Sequence, residues 1–343
     1  MTLSPVFRSE ESRRFLEEQG YLKRFKRALE VQKRARDSLT YLVYSHFNKE
    51  YHGAIETEDD MKIFEQDFFL ILFNEICKVV GSKPEKLEWY AKFNYCIRSR
   101  VTLADNIFDN EEKTTLPFSS EIKGEMRTIL EFMATEELFR TLGRLEEVRY
   151  YYDLIKRKLD NKMIAIGKLE GSEEKGIRKI LTPESMIPKV HRVRGGALFE
   201  LSMIAPKFLE PEKGEKWIKA EMALNDIGTA FQIVDDITDF EFDLKRGSNN
   251  IVTAEAYHNG TDQEKQMLEG YLQTKNSDEK ALEKYFSQSA TRVVQTAYQI
   301  ARKGFEKLQN LGFWYSPEHA EQFVNAILGN VGTPRLEGIL EEK

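Results

Sequence analysis

Between Asn225 and Val252 the chain reads NDIGTAFQIVDDITDFEFDLKRGSNNIV, and three aspartates recur there at four-residue spacing behind an apolar run. That period predicts a helix with Asp235, Asp239 and Asp243 stacked along one face. Asp236 adds a fourth carboxylate beside them. Like charges one turn apart weaken a bare helix by a few tenths of a kcal/mol per pair. The penalty is tolerable on a wet surface and costly where carboxylates converge in a cleft, unless a cation is bound. Lys245, Arg246 and Gly247 follow at once, giving positive charge and a chain break where a phosphate could sit. Carboxylates followed by cations is the order expected of a site that holds a metal-bound diphosphate.

The rest of the chain narrows the architecture around this stretch. Its 343 residues are 41% hydrophobic and 31% charged, with only 9 prolines and 20 glycines, which favours long helices over a turn-rich β fold. A formal net charge of -6 leaves no excess of cations to neutralise a nucleic-acid backbone. Cys77 and Cys96 are too few for a disulfide framework or a zinc cluster, so a reducing, cytoplasmic setting is expected. The opening residues are interrupted by charges where a secretory segment needs an apolar core. No later run approaches a membrane span, so a soluble protein is expected.

Helix signals recur along the chain. Residues 11–50 read as one or two charged amphipathic helices, with Leu22, Phe25, Leu29, Leu39 and Leu42 among basic residues and a solvated charged face. Thr57 is a good helix start, and the helix it leads closes at Gly81. Its run from Phe68 to Phe73 is apolar all round, as in a helix buried on most sides. Ser82 to Pro84 begin the next helix, Thr182, Pro183 and Glu184 another, and Pro211 opens the one that ends in the acidic stretch. Thr261, Ser277 and Ser316 precede further helical patterns. No segment keeps strand alternation, and no repeat is evident. The expectation is one all-α domain over 1–343, of about ten helices, with 1–55 as its divergent N-terminal region.

A second acidic pair, Asp105 and Asp109, lies one turn apart in a predicted helix that also carries Arg98, Val101 and Thr102 on that face. Two such helices could hold two or three Mg²⁺ ions, since Mg²⁺ takes a few carboxylates together with substrate phosphate oxygens and water. A clamp of Arg194, Lys245 and Arg246 would stabilise charge on a departing diphosphate. The carbocation left behind needs a dry, apolar and aromatic pocket, for which Phe108, Phe199 and Phe231 are candidates. Gly195 and Gly196, next to Arg194, cost roughly 1 kcal/mol each inside a helix. They point to close approach of either another backbone or a ligand.

With these motifs the chain resembles the trans-isoprenyl diphosphate synthases and, more broadly, the class I terpenoid synthases. GTAFQIVDDITDF, Gly228 to Phe240, is similar to the second aspartate-rich motif of that family; DNIFD, Asp105 to Asp109, resembles the first, with Asn106 in place of its second aspartate; and RGGALF from Arg194 resembles the KTGALF stretch. The resemblance covers most of the chain beyond about residue 60. It implies an all-helical isoprenoid synthase-type bundle around a central cavity, Mg²⁺ dependence, a prenyl diphosphate substrate and a homodimer. It places Asp105, Asp109, Asp235, Asp236 and Asp239 on metal and Arg194, Gln232, Lys245 and Arg246 on the substrate. Catalysis would rest on Asp105, Asp109, Asp235 and Asp239.

Departures from the family pattern bear on the reaction. The N-terminal region offers only scattered cations such as Lys23, Arg24, Arg34 and Arg36 where chain-elongating members carry a GGKRxRP-like stretch. After the first motif Lys113 is the sole cation where they carry an arginine pair. Lysine does not reproduce the guanidinium fork that grips a second diphosphate. The reading favoured on this ground is a terpene synthase that releases diphosphate from one allylic substrate. Alternatives are a prenyltransferase using isopentenyl diphosphate and a non-catalytic partner subunit. A di-iron carboxylate bundle would need two Glu-x-x-His pairs, and only Glu255 to His258 has that spacing. His46, His52, His191 and His319 have no partner at ligand spacing.

Overall fold

The computed structural model describes residues 14, 16–54, 60–108, 112–172, 176, 179–274, 280–314, 316 and 324. Among them are fourteen α-helices, where about ten were expected, and no strand, as the composition leads one to expect. The starts expected at Thr57 and Ser277, and the helix expected after Ser316, lie outside the described residues. By contacts the chain divides into two compact units. One comprises Glu17–Asn161 with Leu201–Ile218, and the other Lys162–Glu200 with Lys219 onward.

In the first unit, α1 (Tyr21–His46) buries Tyr21, Phe25, Leu29, Leu39 and Val43 against α2 (Asp60–Val80) and α3 (Pro84–Phe108). Phe25 meets Phe64 and Phe68 with ring centroids 5.5 and 5.9 Å apart. Phe68, Leu70, Ile71 and Leu72 are all buried, in keeping with the all-round apolar run. The helix is interrupted at Asp67, whose φ of -112° and ψ of 19° are not helical. Asp67 is buried and accepts from Gln32 Nε2 at 2.8 Å and Arg98 Nη1 at 2.6 Å, with Arg36 Nη1 3.8 Å away. A lone carboxylate in that position would be prohibitive, and the guanidinium groups offset its desolvation. Past α3, α4 (Gly124–Gly143) supplies Arg127 as a clamp on the connecting loop. Its guanidinium donates to the carbonyls of Leu116, Phe118 and Ser119 and to Glu131. Glu131 in turn accepts from the Thr115 N–H and hydroxyl. The next helix is α5 (Arg149–Ser172).

Residues 183–200 form a composite helix: α6 (Pro183–Met186), a π-helix (Ile187–Gly196) and α7 (Ala197–Glu200). The Thr182 side chain caps its start by accepting from the Ser185 N–H, as its sequence predicts. Further on come α8 (Ile204–Leu209), α9 (Gly214–Thr238), α10 (Phe240–Arg246), α11 (Ile251–Asn259), α12 (Asp262–Thr274), α13 (Ala281–Tyr285) and α14 (Ser287–Gln309). At the start of α12, Thr261 and Glu264 satisfy one another's backbone N–H groups in a reciprocal capping box. On α14, Val293, Val294, Ala297, Ala301, Phe305 and Leu308 form the buried stripe, and Gly304 lets it approach Ala223 and Ile227 of α9.

Candidate functional site

The acidic stretch breaks where the four-residue period predicts continuity. α9 stops at Thr238, Asp239 takes φ -95° and ψ 11°, and α10 begins at Phe240. Backbone bonds from Asp239 N to Asp235 O (2.9 Å) and Asp243 N to Asp239 O (2.8 Å) still keep the three aspartates one turn apart. Their environments differ. Asp235 and Asp239 are exposed, and Gln232 Nε2 donates to Asp235 Oδ2 at 3.3 Å. Asp243 is drawn in towards Asn250, whose Nδ2 donates to it at 2.9 Å. Burial, together with the neighbouring Asp236 and Asp239 charges, holds its carboxyl well above the usual aspartate range.

Asp236 faces the other way. Its side chain is buried, and Oδ2 accepts from the Ile251 N–H at 2.8 Å and lies 2.9 Å from His191 Nε2. Asn250 Nδ2 also donates to the Asp236 carbonyl at 2.6 Å and caps α11 through Oδ1. The two adjacent aspartates therefore divide their roles: one presents a carboxylate to solvent, and the other fastens α9 to the π-helix and to the start of α11. Sequence spacing missed His191, because its partner lies 45 positions away.

The π-helix bears Arg194, whose Nε donates to Glu170 of α5 at 2.5 Å and whose charge acts on Asp243. Gly195 and Gly196 allow close packing. A Cβ on Gly195 would lie 2.5 Å from the Gly228 carbonyl oxygen, and one on Gly196 2.7 Å from Asn225 Nδ2. Gly195 thus admits the neighbouring backbone, and Gly196 makes room for the Asn225 and Thr229 side chains. Phe199 stacks on Phe231 at 5.7 Å in the same packing. In the last turn of α10, Lys245 is exposed and the Arg246 guanidinium lies 6.0 Å from the Phe242 ring. Gly247 closes the turn at φ 72°, a left-handed conformation that suits glycine.

In the first unit, Asp105 is half-buried on the last turn of α3, while Asp109 lies outside the described residues. Asn106 donates to the Lys113 carbonyl at 2.8 Å and accepts from its N–H at 3.0 Å. An aspartate could not make the first of these bonds. Arg98 is turned to Asp67, with its guanidinium 4.5 Å from the Tyr95 ring centroid. Glu255 accepts from Arg292 and Asn259, and His258 faces the Ile180 carbonyl, so the Glu-x-x-His spacing serves ordinary contacts. His52 stacks on Tyr44, and His46 lies 3.9 Å from Glu137.

No group of three or more His, Cys, Asp or Glu side chains that could hold a metal occurs among the described residues. The donor set nevertheless fits Mg²⁺. That ion keeps several waters and binds through one or two carboxylates plus substrate phosphates, rather than in a cage made by protein alone. Asp235 and Asp239, two exposed hard-oxygen donors one turn apart, are of that kind.

Neither a family model nor a curated protein matches the sequence. Solved structures do. Geranylgeranyl pyrophosphate synthetase from Pyrococcus horikoshii Ot3 superposes with a TM-score of 0.56 at 17% identity, over 91% of this chain and 99% of that one. Polyprenyl synthase from Caulobacter crescentus CB15, complexed with calcium and isoprenyl diphosphate, gives 0.58 at 12% identity over 91% and 97%. Geranylgeranyl pyrophosphate synthetase from the archaeon Geoglobus acetivorans gives 0.53 at 16% over 90% and 97%. The chain has the fold of the trans-isoprenyl diphosphate synthases. At these identities the likeness is one of fold, and it bears out the all-α isoprenoid synthase architecture expected from the two acidic motifs. No helix among the described residues is long and apolar enough to cross a membrane.

Proposed function

We propose that the chain, acting as one enzyme over 1–343, is a prenyltransferase that ionises an allylic prenyl diphosphate and condenses it with isopentenyl diphosphate. The observation that carries the reading is the exposed pair Asp235 and Asp239 at the end of α9, in a fold shared with prenyl-chain synthases. Asp235 and Asp239 would hold Mg²⁺, and Lys245, Arg246 and Arg194 would balance the diphosphate charge. Asp105 and Asp109 are given the same duty by the resemblance alone. When bound, the metal would stabilise the diphosphate as the allylic C–O bond breaks with its electron pair. The allylic cation then bonds to the double bond of isopentenyl diphosphate, with loss of a proton.

The terpene synthase reading rested on missing guanidinium forks. The neighbours compared above favour condensation instead, since all are synthases of prenyl chains. Met126, Ile129, Phe132 and Met133 form an exposed stripe on α4 that suits the homodimer the resemblance implies.

The test is incubation of the full chain and Mg²⁺ with geranyl, farnesyl or geranylgeranyl diphosphate, each with and without isopentenyl diphosphate. A longer diphosphate that forms only with isopentenyl diphosphate supports the reading. A hydrocarbon or alcohol formed without it would restore the terpene synthase. Turnover of nothing alone, with altered product length in a mixture with a catalytic synthase, would instead favour the partner subunit.

A further inference from the structure

His191 is fully buried and plays no part in the chemistry above. Its Nε2 lies 2.9 Å from Asp236 Oδ2, and its Nδ1 is buried with no hydrogen-bond partner. An orphaned ring nitrogen makes a poor core filler, because an apolar side chain of similar volume would avoid its desolvation. The cost is explained if the other nitrogen has a duty. Nε2 meets the neighbour of Asp235 on α9, and His191 stands three residues before Arg194 on the π-helix. One hydrogen bond therefore links the element that carries the cation to the helix that presents the carboxylates.

From this geometry, and resting on the metal-diphosphate reading above, we infer that His191 is a positioning residue. Through Asp236 it sets the rotation of the end of α9, and so the register of Asp235 and Asp239 with Arg194. It touches neither substrate nor metal. The backbone N–H of Ile251 holds the same oxygen from the α11 side, so Asp236 is fixed between two donors. Bonds that orient a metal ligand directly commonly change metal affinity about 10- to 100-fold when removed, and this one, acting through the ligand's neighbour, belongs at the lower end of that range.

The experiment measures Mn²⁺ binding to the full chain by electron paramagnetic resonance, with and without inorganic diphosphate, well below each variant's thermal transition. His191→Gln keeps an amide N–H at the reach of Nε2, whereas His191→Asn places its amide near the position of Nδ1 and falls short of Asp236. Tyr90→Phe removes an unrelated buried bond to Glu210 and controls for lost stability. The expected result is diphosphate-dependent Mn²⁺ binding by the unaltered chain, weakened about 10-fold or more in His191→Asn, largely recovered in His191→Gln and unchanged in Tyr90→Phe. Wild-type affinity in folded His191→Asn, or an equal loss in Tyr90→Phe, would overturn the inference while leaving the diphosphate reading intact. If the unaltered chain shows no diphosphate-dependent binding, that reading falls and the inference with it.

Discussion

Replacing Gly195 with alanine would place a methyl carbon 2.5 Å from the carbonyl oxygen of Gly228 and 2.6 Å from Cβ of Gln232. Ordinary contact begins near 3.4 Å, so one helix must retreat by close to 1 Å. The obstacle is backbone, which no rotamer change can move aside. Overpacking costs about 1–3 kcal/mol, and a rigid neighbour belongs at the upper end of that range. Alanine returns roughly 1 kcal/mol through helix propensity, leaving a net loss of about 2 kcal/mol. That corresponds to a fall in Tm of about 4–8 °C for a unit of this size, read from thermal unfolding followed by circular dichroism. Gly167 in α5 and Gly270 in α12 supply the contrast, because an added Cβ meets nothing within 4 Å at either. Alanine there should stabilise by about 0.5–1 kcal/mol. If Gly195→Ala proved as stable as Gly270→Ala, the close approach of the π-helix to α9 would be refuted.

Other perturbations follow from the same contacts. Asn106→Asp removes the donor to the Lys113 carbonyl and should cost about 0.5–1.5 kcal/mol by urea unfolding, even though it restores the family-like aspartate; an unchanged midpoint would contradict that role. Arg127→Met leaves Glu131 buried beside its lost partner and should cost about 3–5 kcal/mol, with a loss below 1 kcal/mol counting against the clamp. Asp243 has a raised carboxyl pKa in the folded chain, so its contribution to stability is complete below the ordinary aspartate pKa and is lost as pH rises through the folded value. In chelator, Asp243→Asn should therefore raise Tm at pH 8 more than at pH 4, and equal shifts would sink the assignment.

Where the sequence was legible, a local rule acted within a few residues. The Thr182 cap, the break at Gly81, the helix start at Thr261 and the buried run after Phe68 all follow from chemistry one turn long. The four-residue spacing of Asp235, Asp239 and Asp243 was legible too, since it survives the interruption at Asp239. What could not be read depends on distant partners. Asp235 and Asp236 are chemically identical in sequence, and only the arrival of His191 and the Ile251 N–H turns one of them inward. Arg98 had no visible orientation until Asp67 supplied one, and Asn106 looked like a lost ligand until its loop closed on Lys113. The π-helical turn has no distinctive period in ten residues, so the spacing of Arg194 against α9 was beyond sequence reasoning.

Asp235, at the end of α9, and Asp239, in the break after it, are assigned a metal-bound diphosphate that the buried Asp236 does not touch. Crystals grown with Mn²⁺ and a non-reactive prenyl diphosphate analogue, with anomalous data at the manganese edge, test that assignment directly. Manganese is expected within coordination distance of an oxygen of Asp235, shared with the diphosphate, with Asp236 still bonded to His191. Manganese bound through Asp236, or diphosphate held without any contact to Asp235 or Asp239, would contradict it.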